Sequence, residues 1–159
     1  MIELDRLDRR ILCELEADAH LTNLKLAERV GLSASACLRR VQELEKIGVI
    51  KGYKAIIDRS LLGIGLIVYV TIGLSSHSKA SWKHFEEVIE AAPEVTECHT
   101  ITGAVEYLLR VEVTDIKSYK KFHTGVLGTI PSISSITSLL VMDTTKDLRV
   151  QVWTTGKFT

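Results

Sequence analysis

Ser35, Arg39, Gln42 and Lys46 recur at spacings of four, three and four residues. On a helix those spacings fall along one stripe. The residue types are those that read duplex DNA: Arg bonds guanine bidentately, Gln reads adenine, and Lys or Ser holds phosphate. Cys37, Leu38, Val41 and Leu44 fall on the opposite side and are expected to face a core. The solvated face of any amphipathic helix presents a similar polar stripe, so its meaning depends on the elements around it. Ser33 is placed to cap this helix and Gly48 to end it. A shorter helix precedes it, started by Thr22, carrying Leu26, Ala27 and Val30, and closed by Gly31 in a left-handed conformation. Only Gly31, Leu32 and Ser33 then separate the two helices, which is the spacing of a helix-turn-helix. Ser33, Ala36 and Arg40 complete the candidate DNA-facing set on this helix. Lys51 and Lys54, on a predicted strand from Val49 to Asp58, are placed to approach the flanking backbone as a wing does.

The charge distribution supports that reading. The chain has 159 residues with 20 Lys+Arg and 20 Asp+Glu, for a net charge of zero, which by itself argues against a nucleic-acid partner. The first eighteen residues sum to −3 and the segment from Arg29 to Lys54 to +4, so the neutral total conceals a basic region centred on the striped helix. From Leu61 onward nine bases face ten acids, a balance suited to a surface that meets copies of itself rather than DNA.

Other chemistries find little support. His20, His77, His84, His99 and His123 show no metal-ligand spacing, so no metal or other cofactor is expected. His99 and Cys98 are neighbours on a predicted strand and point to opposite faces, so they form no dyad. No glycine-rich phosphate loop or nucleophile elbow occurs. The three cysteines, Cys13, Cys37 and Cys98, fit neither a disulfide framework nor a CxxC site. Leu61 to Leu74 is shorter than the roughly 20 residues that span a bilayer. Charged residues from Glu3 to Arg10 interrupt any leader. A cytoplasmic location without membrane association is expected.

Two regions position these residues. Up to Gly48 the apolar spacing is helical, beginning with Leu4, Leu7, Ile11 and Leu15 in a first helix. After a hinge over Arg59 to Gly63 the order is βαββαβ: an alternating strand from Leu66 to Leu74, a helix carrying Trp82, Phe85, Ile89 and Ala92, strands Val95 to Ile101 and Tyr107 to Val113 around a turn at Gly103, a helix from Ile116 to Ile130, and a strand from Ile133 to Met142. Pro93 and Pro131 each stand between a helix and a strand, so the helix-Pro-strand step repeats, as in a ferredoxin-like sandwich. A further short strand, Leu148 to Trp153, is expected to pair back or cross to a partner chain. The predicted class is thus α+β: an N-terminal winged helix-turn-helix domain over residues 1–60, then a ferredoxin-like βαββαβ sandwich over residues 61–159.

The segments Leu4–Leu12, Asn23–Ser33, Cys37–Val41, Leu44–Ile50, Val95–His99 and Thr102–Leu109 together resemble the Lrp/AsnC (leucine-responsive, feast/famine) transcription regulators over nearly the whole chain. The resemblance implies a DNA-binding domain joined to one that binds a small effector, usually an amino acid, and forms homodimers that assemble into an octamer. It also implies that Thr102, Gly103, Ala104, Val105 and Glu106 form the effector loop. An amino acid needs an anion for its ammonium and backbone N–H groups for its carboxylate; this loop contains both, although its spacing alone fits a plain hairpin turn with Glu106 solvated. Two departures stand out. Ala34 and Ala36 replace prolines common in the family, and Glu106 stands where the loop usually has the shorter Asp. Ala104 and Val105 fit an apolar effector or an oligomer contact. The family also points to Leu139–Val141, which we assign to packing. The competing reading is a small-molecule sensor or enzyme on a ferredoxin-like fold, with the helical N-terminal domain mediating protein contacts.

Overall fold

The computed structural model describes residues 3–76 and 78–146. They form two compact units, the first ending at Ile57 and the second spanning Asp58–Thr145.

The first unit is built of α1 (Arg6–Ala17), α2 (Asn23–Val30) and α3 (Ala34–Lys46). Each starts at a side-chain cap. Asp5 and Asp8 form a reciprocal capping box on α1, Thr22 accepts from the Lys25 N–H, and Ser33 accepts from the Ala36 N–H. Ile11, Leu26, Ala27, Val30, Cys37 and Leu44 form the buried core. Leu38 departs from expectation: it is 45% exposed. One residue along a helix is a rotation of about 100°, which carries Leu38 from the buried line of Cys37 to the shoulder of the polar stripe.

The strand expected over Val49–Asp58 does not form. A strand exists through its ladder, and among the described residues this unit supplies no second strand to pair with it. Instead the N–H groups of Val49 and Ile50 both donate to the Leu44 carbonyl at 3.0 Å, and the two side chains close the helical core. The residues that follow run exposed to a 3₁₀ turn at Arg59–Leu62.

In the second unit β1 (Leu66–Leu74), β2 (Val95–Thr100), β3 (Tyr107–Val113) and β4 (Ile133–Leu140) form an antiparallel sheet in the order β2-β3-β1-β4, with α4 (Lys79–Glu90) and α5 (Ile116–Gly125) between strands in the chain. This is the expected βαββαβ order. β2 and β4 each stop short of the predicted ends at Ile101 and Met142. The last helix also ends early; a 3₁₀ turn at Leu127–Thr129 takes over and still delivers Leu127 and Ile130 to the core. Alternation puts Val68, Val70 and Ile72 of β1 and Tyr107, Leu109 and Val111 of β3 against Phe85, Ile89, Tyr119 and Phe122 of the helices. The opposite face carries Ile67, Tyr69, Thr71, Leu108 and Leu139, of which Leu139 is 54% exposed. On that face Arg110 and Glu112 are buried as an ion pair, supported by a 3.0 Å bond from Arg110 to Thr96 and by Arg59 at 3.0 Å from Glu112. The expected strand at Leu148–Trp153 lies outside the described residues.

Candidate nucleic-acid interface and ligand loop

The turn before α3 is fixed from both sides. Gly31 sits at φ 75°, a left-handed conformation that Gly adopts without steric penalty. Leu32 N–H then bonds the Ala27 carbonyl at 2.9 Å, closing α2. From α2, Asn23 Nδ2 donates to the Ala34 carbonyl at 2.7 Å, so the starts of the two helices are tied by a side chain that the sequence reading passed over.

On this frame Ser35, Arg39, Gln42 and Lys46 are all exposed along one side of α3, with Ser33 exposed at its cap and Ala36 half-buried. Among the described residues neither the Arg39 guanidinium nor the Lys46 ammonium has an ion pair or a side-chain hydrogen bond. Both cations are therefore available to an external anion.

Arg40, placed by the sequence reading with the DNA-facing residues, is engaged elsewhere. Its Nη1 lies 2.7 Å from Asp5 Oδ2 and 2.6 Å from Asp8 Oδ1. The physical reason is again the 100° step: Arg40 turns toward α1, where two carboxylates are already held in place by the capping box. The Asp8 N–H, and then Arg40, hold the Asp5 carboxyl below its ordinary value, and the two acids keep Arg40 charged.

Lys51 and Lys54 are exposed, and Tyr53 lies between them. Its hydroxyl donates to Glu45 Oε1 at 2.9 Å, folding this stretch back against α3; burial and the Glu45 carboxylate raise its pKa. The stretch carrying the two lysines is thus held to α3 by one tyrosine contact rather than by a strand, and no pattern in the sequence pointed to it.

In the loop between β2 and β3, Thr102, Gly103 and Ala104 are exposed, while Val105 and Glu106 are half-buried. Gly103 has φ 143°. Glu106 is not simply solvated. Its carbonyl accepts from Ile101 N–H at 2.8 Å, its N–H donates to the Ile72 carbonyl at 3.0 Å, and its Oε2 accepts from Leu74 N–H at 2.7 Å. The backbone pairing of β1 with β3 stops at Ile72 and Tyr107, and β1 is irregular at Gly73/Leu74. The Glu106 carboxylate therefore serves as the acceptor the ladder no longer offers. A Cβ on Gly73 would collide with Ser135 Oγ unless that hydroxyl moved, so β1 and β4 approach closely at this end.

A capped helix-turn-helix with free cations on its second helix, and a separate ferredoxin-like unit with a built loop at the end of its central strands, define a DNA-binding regulator with a sensory domain. Comparison with known proteins agrees. Residues 4–51 match the winged helix-turn-helix DNA-binding family and residues 67–151 the Lrp/AsnC ligand binding domain. The leucine-responsive regulatory proteins of Klebsiella pneumoniae and Escherichia coli (strain K12) are each 36% identical over 144 residues, covering 91% of this chain and 88% of theirs. A Neisseria meningitidis transcriptional regulator, solved with L-Met, superposes with a TM-score of 0.87 at 31% identity. An AsnC family regulator from Agrobacterium tumefaciens superposes with a TM-score of 0.86 at 40% identity, and in both cases 91% of this chain and 94% of the other are covered. The chain belongs to the Lrp/AsnC family of DNA-binding transcription regulators. That family is one of regulators, not enzymes.

Proposed function

We propose that Ser33, Ser35, Ala36, Arg39, Gln42 and Lys46 form the surface of α3 that enters the major groove, with Lys51 and Lys54 on the flanking phosphates. The observation that carries this is the pair of exposed cations, Arg39 and Lys46, without partners among the described residues, on a helix whose start is fixed by Gly31, Ser33 and Asn23. Residues 1–60 then act as the DNA-binding domain and residues 61–159 as the effector and oligomerisation domain, in the cytoplasm. No described helix is long and apolar enough to cross a membrane.

The effector is an amino acid received at Thr102–Glu106. Among the similar proteins, those of Klebsiella pneumoniae and Escherichia coli are named leucine-responsive and that of Neisseria meningitidis was solved with L-Met. The Glu106 carboxylate, held at the strand end by its bond from Leu74 N–H, supplies the anion that an ammonium needs. The apolar Ala104 and Val105 favour an apolar side chain. The chain works as a homodimer assembling into an octamer; the sheet face carrying Tyr69, Leu108 and Leu139 offers an apolar surface for a second copy. In competition binding, Arg39→Ala is expected to remove about 1 to 3 kcal/mol of discrimination between the preferred duplex and random DNA. Unchanged discrimination would take Arg39 off the reading surface.

A further inference from the structure

Arg39 and Arg40 are neighbours with opposite fates, and the second carries information about how the first is aimed. Each carboxylate that Arg40 meets has two separate tasks. Asp5 Oδ1 accepts from the Asp8 N–H at 2.8 Å while its Oδ2 meets Arg40; Asp8 Oδ2 accepts from the Asp5 N–H at 3.2 Å while its Oδ1 meets Arg40. The cap that starts α1 is thereby also the socket for a side chain of α3. A second set of polar ties joins α1 to α2: Arg10 Nη2 donates to the Arg29 carbonyl at 2.6 Å, and Arg29 pairs with Glu14 at 2.9 Å. Asp5, Asp8 and Glu14 are therefore engaged by basic side chains of the other two helices.

We propose that Arg40 is a positioning residue for DNA recognition: bridging Asp5 and Asp8, it fixes the rotation of α3 against α1, and so aims Arg39 and Gln42, without itself touching DNA. The proposal rests on α3 being the helix that reads DNA. Its leverage is geometric. A helix with its side chains is about 10–12 Å across, so a rotation of roughly 20° displaces a side-chain tip by about 2 Å, and hydrogen bonds to a base edge do not survive such a shift. A long cation on a phosphate follows the displacement more easily. Loss of the bridge should therefore harm selective binding far more than non-selective binding.

The test compares Arg40→Gln with the double variant Asp5→Asn/Asp8→Asn, in which asparagine keeps helix-capping ability while the anions are removed. The full chain is titrated with a duplex that the wild-type protein selects from a randomised pool, and with random-sequence duplex, across a salt series; thermal unfolding verifies the fold. Both variants should bind the selected duplex about tenfold more weakly. Arg40→Gln should bind random duplex as the wild type does and the double variant at least as well, and in both the dependence of log K on log salt should stay that of the wild type. Combining all three substitutions should add nothing further. The double variant is the sharper arm, because removing two negative charges strengthens a purely electrostatic association; it also supplies the answer if Arg40→Gln does not fold. If Arg40 instead contacts phosphate, Arg40→Gln lowers the salt slope by about 0.9 and weakens both duplexes alike, while the acid variant binds as well as the wild type or better. That result overturns the proposal and leaves the function standing. A wild-type protein that selects no sequence overturns both.

Discussion

At the scale of single residues, what a side chain does here depends on which way one step along a helix turns it. Arg39 and Arg40 are indistinguishable by type, and the sequence groups them. What separates them is that Asp5 and Asp8 lie 35 and 32 residues away, in another helix, a relation that no local spacing reveals. Glu106 gives a similar lesson. Its place in the loop was legible from the pattern around Gly103, but its bond to Leu74, 32 residues away, depends on β1 and β3 being neighbours. Glu106→Gln tests the proposed ammonium contact: the amide oxygen can still accept from Leu74 N–H, whereas the negative charge is gone. Calorimetry against leucine and methionine should find binding lost in Glu106→Gln with the thermal midpoint nearly unchanged, and wild-type binding in that variant would remove Glu106 from the effector site.

Among the elements, those whose termini carry side-chain caps and glycines were the legible ones. Thr22, Gly31 and Ser33 stand in the structure where their chemistry puts them, because caps and left-handed turns are determined within a few residues. The strand at Val49–Asp58 was not legible, since alternation says only that a segment suits a ladder and not whether a partner exists. Two glycines allow contrasting checks. Gly31→Ala meets open space, yet forces a side chain into the left-handed region, and should lower stability by about 1 to 2 kcal/mol. Gly73→Ala has no such backbone constraint but meets Ser135 Oγ, so its destabilisation should be relieved by adding Ser135→Ala. Denaturant titration of the single and double variants measures both effects; a Gly73→Ala loss that Ser135→Ala leaves untouched would place the strain elsewhere.

Over the whole molecule, the zero net charge is a cancellation with structural meaning. Acids of α1 hold Arg40 and Arg29 inside the first unit, and Arg39 and Lys46 are the cations of α3 left facing outward. This also makes stability depend on acid pH. The Asp8 N–H and Arg40 hold the Asp5 carboxyl below the ordinary aspartate range, so its stabilising contribution is complete above the unfolded-state value and is lost as pH falls through the folded-state value. Asp58, which caps the 3₁₀ turn, and Asp115, which caps α5, are lowered in the same way by bonds from Ser60 and Ser118. The thermal midpoint should therefore fall as pH drops below about 4, and less steeply in Asp5→Asn; identical pH profiles would show that the ion pair adds nothing. The central claim is that the exposed stripe of α3 reads DNA sequence. Its most direct test is selection from a randomised duplex pool by the wild-type protein and by Arg39→Ala/Gln42→Ala in parallel. The wild type should enrich a defined sequence, bound more weakly as salt rises, and the double variant should enrich none. Recovery of the same sequence at equal affinity by both proteins would contradict it.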